Sequence, residues 1–319
     1  MSNILHFVRA PLAMIAALAL QGVAAAQTVA GPPQGAAPPP DRNSLTIGLG
    51  GGIGPDYEGS NETSFQPGGV VQGQVDGFDF QVRGTNLYVD LLRDAPRART
   101  ALTLGPVVQV RLERTGKIRD PRVAALGDRK TAVELGAYAG VSQRGVLNRY
   151  DSVNVELAFL HDVAGAHRSF LLTPSVSYST PLSRRTFARA IVSADYVGEG
   201  YGRTYFDVTP AGAAASGLAP YAVSGSGFKS AGLTGLVVQD LGGDGRKGLG
   251  LFALAGYKRL LGQYADSPIV RDAGSANQGF AVAGLTYSWT PRRTVHLRAD
   301  EATARLWVCG GRALPTMIV

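Results

Sequence analysis

The residues with chemical potential are few. His161-Asp162 and His167-Arg168-Ser169 form the histidine-rich stretch of the chain. A hydroxyl, an imidazole and a carboxylate are the parts of a hydrolytic triad. Two imidazoles with a carboxylate are also metal-ligand types. Here all of them fall in one short loop, whereas a triad is assembled from separate elements. The bland reading is solvated loop residues, so no catalytic, cofactor-binding or metal-ligating residue is assigned. Asp266-Ser267-Pro268 favours an ordered turn, in a loop that folds over whatever lies beside it or meets a partner. Ile47-Gly-Leu-Gly-Gly-Gly-Ile-Gly54 looks like a phosphate loop but has no register of the required spacing, and Pro55 stops a following helix. Glycines there fit close packing in a curved strand better.

Composition narrows the class. The chain has 319 residues, of which 42 are Gly, 45% are hydrophobic and only 17% are charged. That is too apolar for disorder, yet no apolar run reaches the ~18–20 residues of a spanning helix. One Cys excludes a disulfide framework and a cysteine zinc site. The net charge of +7 is weighted toward the C-terminal tail, so it is no sign of a nucleic-acid partner.

The elements follow from periodicity. Residues 1–26 read as a secretory signal peptide: Arg9, a short apolar stretch from Pro11 to Leu20, and Ala24-Ala-Ala26 before Gln27. Residues 27–43 hold five Pro and read as a flexible linker. From Ser44 to Trp289 the signal is period two. Val153, Val155, Leu157 and Phe159 oppose Ser152, Asn154 and Glu156; Leu102, Leu104, Val108 and Val110 oppose Thr103, Gln109 and Arg111. The polar faces also carry Arg83, Glu113, Glu134, Arg189 and Asp195. A soluble sandwich has the same alternation with its apolar faces turned inward. Long strands, a signal peptide and aromatics near strand ends (Tyr88, Phe159, Tyr178, Tyr196, Tyr257, Tyr287, Trp289) favour a transmembrane antiparallel β-barrel.

Eleven strands can be marked: 44–54, 65–75, 78–90, 101–114, 131–144, 150–161, 169–180, 186–196, 228–241, 249–261 and 276–289. Barrels of this kind have even numbers, so about twelve are expected, with ten as the fallback. The missing strand is sought in 197–227 or 55–64, and a bulge is expected near Gly84. Pro210 and Gly217 would start and end a small helix that plugs the lumen or stays on the surface. Residues 290–319 lose all alternation, hold five Arg against Asp300 and Glu301, and read as an irregular basic tail, either a non-native extension from a read-through or shifted frame or a periplasmic extension that touches acidic partners.

Several segments resemble, in order, the MltA-interacting protein (MipA/OmpV) family of outer-membrane proteins. They are Pro55-Asp-Tyr-Glu-Gly-Ser60, Val133–Ala137, Asp162-Val163 with His167, Tyr205–Pro210, Ser216–Leu218 with Tyr221, and Tyr257–Val270 with its Asp266-Ser267-Pro268-Ile269-Val270 core. The last strand, Gly284-x-x-Tyr287-x-Trp289, resembles the closing signal read by the barrel-assembly machinery over 280–289. The resemblance implies an outer-membrane location in contact with lipid, no catalysis and no cofactor. It also implies a scaffold role between a murein transglycosylase and a murein synthase. The alternatives are a narrow porin-like channel for small solutes, suggested by the polar inner face, and a hydrolase on the barrel rim that uses His161 or His167.

Overall fold

A computed structural model describes residues 43–93, 98–242 and 248–290. The proposed signal peptide, nearly all of the linker and the tail after Thr290 lie outside the described residues. The strands are β1 Ser44–Pro55, β2 Thr63–Val75, β3 Phe78–Arg83, β4 Asn86–Val89, β5 Thr100–Arg111, β6 Ala132–Arg144, β7 Ser152–Asp162, β8 Phe170–Pro181, β9 Thr186–Val197, β10 Gly227–Asp240, β11 Gly248–Leu260 and β12 Asn277–Trp289. Each pairs antiparallel with its neighbours, and β1 pairs with β12 (Leu45 opposite Trp289, Ile53 opposite Ala281), so the sheet closes into a barrel of twelve strands. Closure leaves no sheet edge along most of the wall, as a backbone in hydrocarbon requires.

The twelfth strand is in neither expected place. Residues 78–90 are a hairpin rather than one bulged strand: Arg83 lies opposite Asn86, and Gly84 makes the turn at φ 59°. A bulge and a tight turn both shift the phase of alternation, but only the turn adds a strand. The correction also turns Tyr88 around. It faces the lumen, where its ring meets Tyr138 edge to face at 5.0 Å, and takes no part in an outer girdle.

The outer surface carries the apolar residues. Leu49, Leu102, Leu104, Leu157, Val176, Val192, Leu233, Leu251 and Leu285 are all exposed. Near one end Phe159, Phe170, Tyr196 and Phe228 follow one another around the wall with ring centroids 5.2–6.3 Å apart. Tyr287 and Trp289 stand at the other end of the wall, in the last residues of β12. Leucine outside and aromatics at the ends are what a lipid layer demands. Gly48, Gly50, Gly52 and Gly54 of β1 fall on the inner side, out of phase with the exposed Leu49 and Ile53. A Cβ at Gly52 would collide with the Ala281 carbonyl, so glycine lets β1 and β12 pack closely.

The lumen is divided. Leu236, Phe252, Leu254 and Val282 form an apolar cluster on β10–β12. Across from it Arg83 of β3 pairs with Glu156 of β7 at 2.8 Å. The polar faces therefore neutralise one another inside the wall.

Candidate functional site

The long loops at one end of the barrel build a cap. It holds α1 Pro121–Ala124, α2 Glu199–Phe206, α3 Pro210–Ser216, α4 Gly262–Asp266 and α5 Pro268–Arg271. The helices are short but well specified. Asp120 caps α1 by accepting from the Arg122 amide at 2.8 Å. Thr209 caps α3 at the Gly212 amide, Pro210 opens it, and Gly217 ends it at φ 73°. Residues 197–227 thus contain helices rather than the strand expected from the count. Tyr57, Val123, Val208, Ile269 and Ala273, from four different loops, are almost wholly buried against one another. A hydrophobic core of this kind holds the loops across the barrel mouth. Ser267 ties two of them together by donating its hydroxyl to the Phe206 carbonyl at 2.6 Å. The Asp266-Ser267-Pro268 turn is therefore a structural part of the cap.

Beneath the cap lies a continuous buried polar network. Arg111 of β5 grips Glu134 of β6 with two parallel hydrogen bonds, Nε to Oε1 at 2.7 Å and Nη2 to Oε2 at 3.0 Å. His167, from the loop after β7, meets Glu134 Oε1 at 2.8 Å through Nε2. Arg111 Nη1 donates to the Tyr201 hydroxyl of α2 at 3.3 Å, and that hydroxyl donates to Glu58 Oε2 at 2.9 Å. Lys229 of β10 pairs with Glu58 at 2.7 Å, and Lys258 of β11 pairs with Asp195 of β9 at 3.1 Å. Lys229 Nζ is also 3.6 Å from Asp195, which joins the two halves of the network. Arg111, Glu134 and Lys229 of the strands are joined to Tyr201, His167 and Glu58 of the loops, so the network pins the cap to the wall. Each charge has an opposite partner, the condition under which buried ions are tolerated.

The two loop-end carboxylates behave differently. Burial alone would raise Glu58, but Lys229 and Lys258 outweigh it and hold its carboxyl below the usual range. Burial, and then the nearby Glu58 charge, push Glu113 up to about 7. A raised acid binds its proton more tightly folded than unfolded, so its contribution to stability falls as pH rises from about 4.5 toward 7. Glu113→Gln is expected to remove that fall and to stabilise the barrel by about 1–3 kcal/mol at pH 8. Urea midpoints of both proteins at pH 5 and pH 8 check this; parallel pH profiles would contradict it.

The histidine-rich stretch is placed plainly. His161 is exposed on the outer face of β7, and His167 is buried on the inner side, so the two do not converge. Asp162 is consumed by the loop itself, accepting from the Ala164, His167 and Arg168 amides at 2.8–3.0 Å. Among the described residues no hydroxyl is hydrogen-bonded to His167. Asp162, His167 and Ser169 are buried, not the solvated residues expected of a surface loop. Sequence reading placed Arg111, Glu134 and Asp195 on the inner face but missed Glu58, Tyr201 and Lys229. Lys229 is masked by a bulge between Phe228 and Ser230 that breaks the alternation.

The opposite end has short turns. The turn between β6 and β7 is held by Asp151, whose carboxylate accepts from the Val146, Leu147 and Asn148 amides at 2.8–2.9 Å and from the Tyr178 hydroxyl at 3.0 Å. The turn leaves Leu147, 78% exposed, and Tyr150, 69% exposed, pointing outward, with Leu182 exposed on the next turn.

Two solved structures are similar to this chain at low identity. OmpT of Vibrio cholerae is 10% identical, with 78% of this chain and 98% of that one covered at a TM-score of 0.34. The toluene transporter TodX of Pseudomonas putida is 11% identical, with 84% and 95% covered at a TM-score of 0.33. No curated protein matches the sequence. The family model described as MltA-interacting protein MipA matches residues 47–289, from within β1 to the last residue of β12. The chain belongs to the MipA family of outer-membrane β-barrels.

Proposed function

We propose that this barrel is a non-catalytic docking protein of the outer membrane that binds a murein-cleaving transglycosylase at its short-turn end. The observation that carries the reading is the sealed opposite mouth. Among the described residues, a packed apolar cap over a network of buried ion pairs leaves no prepared route for bulk solute. This weighs against the narrow-channel alternative. The family's description as MltA-interacting supplies the kind of partner. The ordered turn around Asp151 supplies a rigid surface, with Leu147 and Tyr150 as apolar anchors of the type that dominates interfaces. Anchoring to a murein synthase in the same assembly follows the same logic at neighbouring turns.

The test is affinity of the purified, detergent-solubilised barrel for a purified murein transglycosylase. Leu147→Asp with Tyr150→Asp is expected to weaken binding by at least about tenfold. The gel-mobility shift on heating, which reports the folded barrel, should be unchanged. Equal binding by the double variant, or no binding by the parent protein, would contradict the proposal.

A further inference from the structure

Arg114 stands apart from every other buried cation of the cap. It follows β5, is only 2% exposed, and is held at φ 53°, a left-handed conformation that non-glycine residues rarely adopt. That backbone turns its guanidinium inward. Nη1 donates to the Tyr205 carbonyl at 3.1 Å, while Nε and Nη2 have no acceptor among the described residues. Glu113, its neighbour, makes no hydrogen bond to it: Oε1 accepts from the Glu58 amide at 2.8 Å, and Oε2 is buried with no hydrogen-bond partner among the described residues.

In three other arginines the Nε–Nη2 edge holds a carboxylate. In Arg111 it holds the two oxygens of Glu134, at 2.7 and 3.0 Å. In Arg122 it holds Asp120, at 3.3 and 2.9 Å, and in Arg271 it holds Asp272, at 2.8 and 3.0 Å. In each of these three a carboxylate occupies the edge in bidentate fashion, whereas Arg83, Arg129 and Arg189 give Nε to a neutral oxygen. At Arg114 the fork is built and buried, and among the described residues no carboxylate lies on it.

A second arginine sharpens the point. Arg129, half-buried, comes back against the same segment: its amide donates to the Arg114 carbonyl at 2.7 Å, and its Nε donates to the Thr204 carbonyl at 2.7 Å. Its charge and Arg114's repel, and burial together with that repulsion lowers the Arg114 guanidinium to about 10. The same loop exposes Lys117 and Lys130, which favour the approach of an anion. The Tyr205 hydroxyl and Arg114 Nε and Nη2 are all buried hydrogen-bonding groups without a protein partner in this part of the cap.

We infer that the Arg114 guanidinium edge, supported by Arg129, is a binding site for an oxyanion that offers two oxygens side by side, a carboxylate or phosphate group. The site is separate from the short-turn surface and does not depend on the docking role. Its anion joins the loop after β5 to α2 and so belongs to the closed cap. The same chemistry is carried by free phosphate, by small carboxylates and by the phosphorylated headgroup of lipopolysaccharide.

The test uses the full-length barrel in detergent and reads its unfolding midpoint against inorganic phosphate, acetate, or lipopolysaccharide micelles, with sodium chloride at matched ionic strength as reference. A saturable upward shift beyond the chloride reference is expected, reduced at least about tenfold in apparent affinity by Arg114→Gln. Arg114→Lys keeps the charge without the fork and is expected to lose the shift as well, so it serves if the glutamine variant does not fold. Saturation by phosphate or acetate assigns a soluble ligand; a response to lipopolysaccharide alone assigns a lipid headgroup. No shift beyond chloride with any of the three probes, or an unchanged shift in both variants, would overturn the inference.

Discussion

Arg111→Ala is expected to destabilise the folded barrel by about 3–5 kcal/mol, the cost of leaving a buried carboxylate without its partner. Glu134 has no exposure to water, and its remaining neighbour is His167 at 2.8 Å. Removing the arginine also takes a donor from Tyr201 and so loosens the link between α2 and the wall. Replacing both members, Arg111→Met with Glu134→Leu, removes the charges together and should recover much of the loss, because well-packed apolar side chains can replace a buried pair at little cost. Urea unfolding of the three variants in detergent, followed by tryptophan fluorescence, measures both steps. A single variant as stable as the parent protein would mean that the site is open to water.

Excision of α2 and α3 should turn a closed barrel into a conducting one. Replacing residues 199–216 with a short Gly-Ser linker removes Tyr201, Tyr205 and Phe206 from beneath the cap and the α3 contact from its core. The wall is untouched, since β9 ends at Val197 and β10 begins at Gly227. Planar-bilayer recordings are expected to show no regular steps for the parent protein and frequent ones for the variant. Regular steps in the parent protein would favour the channel alternative and remove the main support for a docking role.

The membrane-facing pattern was legible because each long strand writes one environment on each face. Leu157 and Glu156 are neighbours in β7 and look in opposite directions, as simple alternation says. Alternation fails where the backbone changes phase. The β3–β4 hairpin has strands of only six and four residues, too short to register as spanning segments, so Gly84 passed for a bulge. The bulge beside Lys229 hid the lysine that holds Glu58. Periodicity carries β5 to residue 114, while the strand stops at Arg111 and Arg114 turns into the cap. The small helix from Pro210 to Gly217 was readable because capping is local chemistry. The network beneath it was not, because Arg111, Tyr201 and Glu58 meet only through folding of distant segments.

The central claim is that the apolar faces of these strands look outward into lipid and the charged faces look into a closed interior. Its most direct test is fluorescence quenching along β7. Single cysteines at positions 153 to 160, in a background with Cys309→Ser, would carry an environment-sensitive probe in the barrel reconstituted in bilayers. Probes at 153, 155, 157 and 159 are expected to be quenched by a lipid-soluble quencher and protected from iodide, with 154, 156, 158 and 160 protected from the lipid quencher. The inverse alternation, or no alternation, would contradict the account.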